Sequence, residues 1–246
     1  MDTQKTYDHD ANSEPSAFPE AVAGTPSAEE QVPWLPDRTP SQRFMKRVMD
    51  IVGATLAIIL MLPAMIIIAV AIKLTSPGPI FFRQKRVGYH GREFMFLKFR
   101  SMYMDQPKAQ SDYVSSLISE EYGKMGTDGV FKIKNDPRIT PIGAFLRKTA
   151  IDELPQFFNV FLGQMSLVGP RPPMPYELEN YEPWHRKRLS IKPGITGLWQ
   201  VSGRATVTFD EMVKMDLKYA ATQTLWLDLK ILLRTPYVVI AGDGAY

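Results

Sequence analysis

The 246-residue chain contains 29 basic and 26 acidic residues, three histidines that lie far apart, and no cysteine. The absence of cysteine excludes disulfides, thiolate catalysis and cysteine-ligated metals, and the scattered histidines argue against a histidine metal site or a Ser-His-Asp triad. The first forty residues hold eight acidic and two basic residues, which leaves 27 basic and 18 acidic residues over 41–246. This positive excess suits phosphorylated substrates, an anionic membrane surface or nucleic acid.

Residues 1–40 are rich in proline, serine, alanine and acidic residues and show no hydrophobic period. This composition predicts a disordered acidic tail. The tail has no basic segment followed by an apolar stretch, so it does not resemble a signal peptide.

Residues 51–72 form an uncharged apolar segment. As a helix it would reach roughly 33 Å, about the thickness of the bilayer hydrocarbon. Pro63 lies at its middle and should bend it. Basic residues flank both ends, whereas a spanning helix usually has them on one side. A helix that enters, bends at Pro63 and returns to the same face fits both features, and a spanning helix remains the alternative. The flanking bases are Arg43, Lys46, Arg47, Lys73, Arg83, Lys85 and Arg86.

Residues 75–104 mix aromatic and basic side chains. Residues 80–84 predict a short β-strand, and the alternating residues 94–99 predict a β-strand or an interfacial segment. The mixture could bind single-stranded nucleic acid or lie among lipid headgroups, and the preceding apolar segment favours the headgroups. Residues 111–122 predict a polar helix, followed by a glycine-rich loop.

The segment 147–172 places two adjacent carboxylates, Asp152 and Glu153, after the cations Arg147 and Lys148. An apolar row with helical spacing, and a proline at 155 that only a first turn accepts, predict a helix that begins near Asp152 and ends near residue 163. A helix N-terminus keeps a carboxylate ionised and attracts phosphate. Residues 168–172 predict a rigid turn that presents Arg171. The segment therefore predicts an acid pair that acts as nucleophile or metal ligand and is surrounded by cations that could bind phosphate. The alternative is that Asp152 only caps the helix and Glu153 is solvated. The apolar row is Ile151, Leu154, Phe158 and Phe161.

The C-terminal third predicts a polar helix over 176–191, a glycine-punctuated loop over 192–204 and an amphipathic helix over 209–221. Trp199 and Gln200 in the loop could contact a nucleobase, or Trp199 could be a buried structural residue. Residues 225–241 are apolar but contain three charged residues and a proline, so we expect a helix that lies in the membrane interface without spanning it.

Six short motifs follow one another in order. They are KFRSM at 98–102, DPRIT at 136–140, DELPQ at 152–156, VGPRP at 168–172, PGITG at 193–197 and QVSGR at 200–204. With the basic entry and the proline-broken apolar helix before them, they resemble the bacterial sugar transferase family, the monotopic polyprenyl-phosphate hexose-1-phosphate transferases. Each motif alone is weak, but six in order are specific. The resemblance covers the chain from about residue 43 to the C-terminus.

The resemblance implies an enzyme that transfers hexose-1-phosphate from a UDP-sugar to polyprenyl (undecaprenyl) phosphate with Mg²⁺ and releases UMP. This is the first membrane step of exopolysaccharide, capsule or O-antigen assembly, on the cytoplasmic face of the bacterial inner membrane. It implies Asp152 as the nucleophile that forms a phosphosugar ester and Glu153 as its partner, with both as Mg²⁺ ligands. The implied substrate-binding residues are Arg147, Arg171, Lys98, Arg100, Asp136, Arg138, Gln156, Gln200 and Arg204.

The implied fold is α+β and mostly helical, with a disordered tail over 1–40, a re-entrant membrane helix over 41–74 and a small cytoplasmic catalytic domain over 75–246. Its partners would be the two substrates, membrane lipid and, as candidates, other glycan-assembly enzymes, but not nucleic acid. The family often has Ser-Pro at the helix break, whereas this chain has Leu62-Pro63, which leaves Pro63 alone to set the bend. A membrane-attached phosphodiesterase and a non-catalytic scaffold of a polysaccharide assembly complex are the competing hypotheses.

Overall fold

A helix of 36 residues, α1 (Pro40–Thr75), opens the computed structural model, which describes residues 39–104, 138–202 and 207–241. Thr39 caps the helix by accepting a hydrogen bond from the Gln42 backbone, and the Gln42 side chain accepts one from the Thr39 backbone. Helical structure continues through Pro63, which has no N–H for the helical ladder. The predicted bend and return at Pro63 stay predictions. The tail, the helix at 111–122 and the glycine-rich loop lie outside the described residues.

One face of α1 packs on the rest of the protein, and its other faces expose apolar side chains. The buried positions are Asp50, Ala54, Met65 and Ile72, whose spacing follows the helical period. Val52, Leu56, Ile59, Leu60, Ile67 and Leu74 are at least half exposed. Within the described part of the chain, α1 is the helix that is long and apolar enough to cross a membrane.

An antiparallel hairpin follows, formed by β1 (Phe81–Val87) and β2 (Glu93–Phe99). Arg86 pairs with Phe94 in its register. The predicted strands are confirmed, although the first one is longer than the sequence suggested.

Helix α2 (Pro141–Lys148), a 3-10 turn (Ile151–Glu153) and helix α3 (Gln156–Phe161) lead to strand β3 (Ser166–Val168). Strand β3 pairs in parallel with β4 (Gly194–Thr196). The prediction of an irregular loop over 192–204 is therefore wrong for its described part, 192–202, since β4 and the short helix α4 (Leu198–Ser202) occupy most of it. A three-residue strand whose partner lies far away in sequence has no local signal.

The single helix predicted over 176–191 is also wrong. Two 3-10 segments, Pro175–Asn180 and His185–Ser190, take its place, and Pro183 between them has no N–H to continue a helix. Helix α5 (Phe209–Thr222) is confirmed, and α6 (Leu225–Ala241) is a helix with Pro236 inside it.

The core has two main apolar clusters, and α1 contributes to both. Ala54 packs in the cluster built around β3, α5 and α6, whereas Met65 and Ile72 pack with Phe99 and Leu146. The mostly helical α+β fold is confirmed, and its long apolar helix is compatible with monotopic membrane attachment.

Candidate active site

The acid pair lies at the start of a helical segment, as predicted. Ala150 adopts a left-handed conformation (φ 54°, ψ 16°), which ends α2 and turns the chain into the 3-10 turn that carries both acids. Pro155 directly precedes α3, where its missing N–H costs no hydrogen bond. The helix ends at Phe161, and Gly163 has a φ of +84°, a conformation that glycine adopts without strain.

The predicted apolar row is confirmed at three of its four positions. Ile151, Leu154 and Phe158 pack against the cluster formed by Leu146 and the second half of α1. Phe161 lies in the predicted helix as its last residue, but it is 47 % exposed and does not pack with the other three. The packed residues orient the 3-10 turn and thereby direct Asp152 and Glu153 toward the end of β2.

Lys98, at the end of β2, lies between the two carboxylates. Its Nζ is 2.6 Å from Glu153 Oε1 and 3.8 Å from Asp152 Oδ2. Asp152 is buried, whereas Glu153 and Lys98 are partly exposed. The ammonium therefore pairs directly with Glu153 and reaches Asp152 as a nearby charge.

Burial raises the pKa of Asp152 to about 6, although Lys98 and Arg147 act to lower it. We expected the helix N-terminus and the cations to favour ionisation, but desolvation is the larger effect. Burial would also raise the pKa of Glu153, yet Lys98, Arg171 and Gln156 lower it overall. Both acids are thus carboxylates near neutral pH, and Asp152 is the first to take up a proton as the pH falls.

Arg86 is a cation of this site that sequence reasoning missed. It is buried and is among the charges that act on Glu153, while burial and the nearby Arg171 lower its own pKa to about 10. The guanidinium carbon of Arg86 and the ammonium of Lys98 lie 5.3 and 5.6 Å from the Phe96 ring centre, within cation–π range. The sequence showed that Phe96 and Lys98, two positions apart on one strand, would share a face of the hairpin. It did not show the strand pairing that brings Arg86 to the same place.

Arg171 is carried by the segment after β3, which bends at Gly169 and is otherwise irregular, and we keep the name turn for residues 168–172. The Gly194 N–H donates to the Pro170 carbonyl at 2.8 Å, and the Val87 N–H donates to the Pro173 carbonyl at 2.9 Å. A Cβ on Gly169 would lie 2.3 Å from the Lys192 carbonyl oxygen, so only glycine permits this approach of the two strands.

The structure brings most of the predicted site residues together. Gln156 is buried beneath the acid pair, and its amide helps to lower the pKa of Glu153. The residues that act on the two carboxylates through contacts or charge are Lys98, Arg147, Arg171, Gln156 and Arg86.

Three other predicted site residues make backbone contacts in the part of the chain that the structure describes. Arg100 is buried, and its guanidinium donates to the Ser76 carbonyl at 2.8 Å and to the Pro77 carbonyl at 2.5 Å, so its visible role is to stabilise the end of α1. Gln200 donates to the Ile195 carbonyl at 3.4 Å, and the carbonyl of Arg138 accepts from Tyr103. Asp136 and Arg204 lie outside the described residues. For all five, the predicted substrate contacts stay predictions.

The acid pair fits a Mg²⁺ ion in its donor chemistry. The Oδ1 atom of Asp152 is buried and has no hydrogen-bond partner in the described part of the chain. Mg²⁺ is usually bound by one or two carboxylates together with substrate phosphates and water. No group of three or more acidic, histidine or cysteine side chains with metal-binding geometry occurs among the residues described. Asp152 and Glu153 therefore suit an ion that shares its coordination with a phosphorylated substrate.

The chain is similar in sequence to known sugar transferases. The family described as bacterial sugar transferase matches residues 41–242. The UDP-galactose-lipid carrier transferase of Erwinia amylovora is 46 % identical over 206 residues, and the undecaprenyl-phosphate galactose phosphotransferase of Salmonella typhimurium is 45 % identical over 206 residues. Both alignments cover 84 % of this chain and 42 % of the relative, so the chain spans less than half the length of these two proteins.

A shorter relative matches almost from end to end. The exopolysaccharide production protein ExoY of Rhizobium meliloti is 35 % identical over 223 residues, which cover 87 % of this chain and 95 % of the relative. The family match includes α1 as well as the acid pair and the turn that carries Arg171. The chain belongs to the bacterial sugar transferase family.

Proposed function

We propose that this chain transfers hexose-1-phosphate from a UDP-sugar to undecaprenyl phosphate, through a covalent intermediate on Asp152. The observation that carries the proposal is the buried Asp152 carboxylate, which lies beside Lys98 and within the field of Arg147. A buried carboxylate among cations suits attack on an anionic diphosphate, because the cations offset the repulsion between nucleophile and substrate. The names of the Erwinia and Salmonella relatives support the donor and the acceptor.

In the first step, an oxygen of the Asp152 carboxylate attacks the phosphorus that bears the sugar. The bond from this phosphorus to the bridging oxygen breaks, and UMP leaves with the electron pair. In this proposal Arg147, Arg171 and Lys98 would neutralise the diphosphate as charge moves onto the leaving group. Mg²⁺, when bound by the two carboxylates, would supply further neutralisation of the phosphates.

In the second step, a phosphate oxygen of the lipid attacks the same phosphorus. The bond to Asp152 breaks and restores the carboxylate, and a polyprenyl diphosphate sugar is formed. Glu153 stays anionic throughout because its pKa is lowered, and it holds the Lys98 ammonium at 2.6 Å beside the reacting group. The two steps divide one difficult transfer between two easier ones.

The lipid acceptor requires attachment to a membrane, and α1 supports a one-sided arrangement. Near its N-terminal end, Arg47 donates to the carbonyls of Val160 and Phe161, both at 2.7 Å. At its C-terminal end, Arg100 donates to Ser76. Both ends thus contact the same compact unit, whereas a straight crossing would separate them by about 30 Å of hydrocarbon.

We therefore propose that α1 enters the cytoplasmic face of the inner membrane and returns to it, with the bend at Pro63. Helix α6 would lie in the same interface, because Trp226, Leu233 and Tyr237 on it are 63–74 % exposed. The product would be consumed by enzymes that extend the lipid-linked sugar in exopolysaccharide, capsule or O-antigen assembly.

The covalent step can be tested without the lipid acceptor. Purified protein incubated with Mg²⁺ and UDP-galactose or UDP-glucose should release UMP stoichiometrically and gain the mass of a hexose phosphate on Asp152. Asp152→Asn should abolish both signals, whereas Glu93→Gln, a change in an exposed pair with Lys85, should leave them intact. Removing Mg²⁺ with EDTA should stop UMP release.

The rival mechanisms give different patterns. Direct attack by the lipid phosphate predicts no UMP and no adduct unless the lipid is present. A phosphodiesterase would release free sugar phosphate continuously with water as acceptor. A non-catalytic scaffold would support polysaccharide assembly equally well with Asn at position 152. Comparison of the two UDP-sugars in the same assay identifies the hexose.

A further inference from the structure

Two buried arginines hold the backbone of the turn that carries Arg171. Arg188 Nη2 donates to the Arg171 carbonyl at 3.2 Å, and Arg86 Nη1 donates to the Pro172 carbonyl at 3.0 Å. The prolines at 170, 172 and 173 have no N–H, so this turn can be fixed mainly through its carbonyl groups. Successive carbonyls of the turn are therefore bound by cationic side chains from distant parts of the chain.

Arg188 is itself held by a buried carboxylate that the proposed reaction does not use. Asp216, on α5, lies 2.6 Å from Arg188 Nη2, and both side chains are at most 2 % exposed. The Tyr181 hydroxyl accepts a further hydrogen bond from Arg188 Nη1 at 3.0 Å. Burial is the largest single effect on Arg188 and works against its charge, but Asp216 and Tyr181 together raise the pKa of the guanidinium. Burial also raises the pKa of Asp216 to about 6, against the effect of Arg188, so at neutral pH the 2.6 Å contact is an ion pair.

A buried ion pair of this kind is a poor device for stability alone. The cost of removing two charges from water often exceeds their attraction, and apolar residues of similar volume frequently stabilise a fold as well or better. The guanidinium, however, also donates to the Arg171 carbonyl, which an apolar side chain cannot do. Two contacts distinguish this pair from an apolar replacement, the hydrogen bond to the Tyr181 hydroxyl and the one to the turn, and only the second reaches the segment that carries Arg171.

We infer that Arg188, held by Asp216, is a positioning residue that fixes the backbone of Arg171 so that its side chain can bind phosphate. Arg86 supports the same backbone through the neighbouring carbonyl of Pro172. This inference rests on the proposed function, in which Arg171 contacts a substrate phosphate. Arg171 acts on Glu153 by charge, so its guanidinium lies near the acid pair. A shift of about 1 Å in such a group can lower a rate by about a hundredfold.

The test replaces the ion pair with apolar residues and measures UMP release with Mg²⁺ and UDP-galactose or UDP-glucose. The double variant Arg188→Met/Asp216→Leu should keep its melting temperature within a few degrees of wild type, yet lose about ten- to a hundredfold in kcat/KM. Asp210→Asn is the matched control, because Asp210 on α5 also contacts the 185–190 segment, at His185, but not the turn. The control should keep kcat/KM near the wild-type value.

A second background separates positioning from general damage. In an Arg171→Lys protein, which has already lost the guanidinium, the double replacement should change kcat/KM by less than about threefold, since positions that act through one another are not additive. An equal loss in both backgrounds, or no loss in either, would overturn the inference. If the double variant does not fold, Arg188→Lys, whose single ammonium cannot serve both Asp216 and the Arg171 carbonyl, takes its place with the same expectations. Wild-type rates in Arg171→Lys alone would instead refute the phosphate role of Arg171, and the inference with it.

Discussion

Replacement of Asp50 by alanine should release α1 from the strand that leads to Arg171. One oxygen of the Asp50 carboxylate accepts hydrogen bonds from the Ser166 hydroxyl at 2.9 Å and from the Leu167 N–H at 3.0 Å. Lys46 Nζ lies 3.3 Å from the same oxygen and 2.8 Å from Asp228. Asp50 is 2 % exposed, so water cannot replace these contacts.

The cost follows from the partners that alanine leaves behind. Two buried donors, the Ser166 hydroxyl and the Leu167 N–H, would lose their acceptor, at about 1–3 kcal/mol each. Lys46 would keep Asp228, so the ion pair is weakened and not broken. We therefore expect a loss of about 3–5 kcal/mol, which lowers the melting temperature by roughly 6–20 °C for a protein of this size. Asp50→Asn keeps an acceptor oxygen and should cost about half as much.

Tryptophan fluorescence of detergent-solubilised protein during heating measures this loss, since the chain contains four tryptophans. Glu93→Ala is the matched control, because it removes a carboxylate from an exposed pair with Lys85 and should change stability by at most about 1 kcal/mol. A melting temperature of Asp50→Ala within 2 °C of the control would refute the reasoning, because it would mean that these buried contacts contribute no net stability.

Three further predictions follow from the site and the membrane helix. The reactive form of Asp152 is the carboxylate and its pKa is about 6, so lipid-independent UMP release should fall as the pH drops through that range. Lys98→Met should move the midpoint of this fall to higher pH, because Lys98 lowers the pKa of Asp152, and an unmoved midpoint would contradict the charge assignment. Arg147→Ala should cost about 2–4 kcal/mol of transition-state stabilisation, with partial rescue by Lys, whereas wild-type kcat/KM would make Arg147 structural. Single cysteines at Ser41 and Arg83, in a chain that has none, should both be protected from an impermeant thiol reagent in intact cells, and labelling at Ser41 alone would establish a spanning helix.

Local signals in the sequence were sufficient for the acid-pair segment. Proline at 155, glycine at 163 and the apolar spacing each restrict the backbone within a few residues, so the start and the end of the helix could both be predicted. The hairpin was predictable for the same reason, since alternation over 94–99 is a local pattern.

Contacts between distant segments could not be predicted. Arg86 belongs to the site because β1 pairs with β2, and β4 exists because it pairs with β3 across 28 positions of sequence from Ser166 to Gly194. The pKa of Asp152 was also expected in the wrong direction, because the sequence displays the cations beside it but not the burial that outweighs them. Arg100 lies in the KFRSM motif and was therefore predicted to bind substrate. Its contacts with the end of α1 come from a distant segment and appear only in the structure.

The membrane helix and the active site are joined through the two segments that carry the chemistry. Arg47 of α1 binds the last carbonyls of α3, the helix that follows the acid pair. Asp50, one turn further, binds the start of β3, which runs directly into the turn that presents Arg171. A movement of α1 relative to the domain would therefore shift the acid pair and the arginine together or apart. Substitutions at Arg47 or Asp50 should for this reason alter both stability and phosphate transfer, even though neither residue belongs to the acid-pair site.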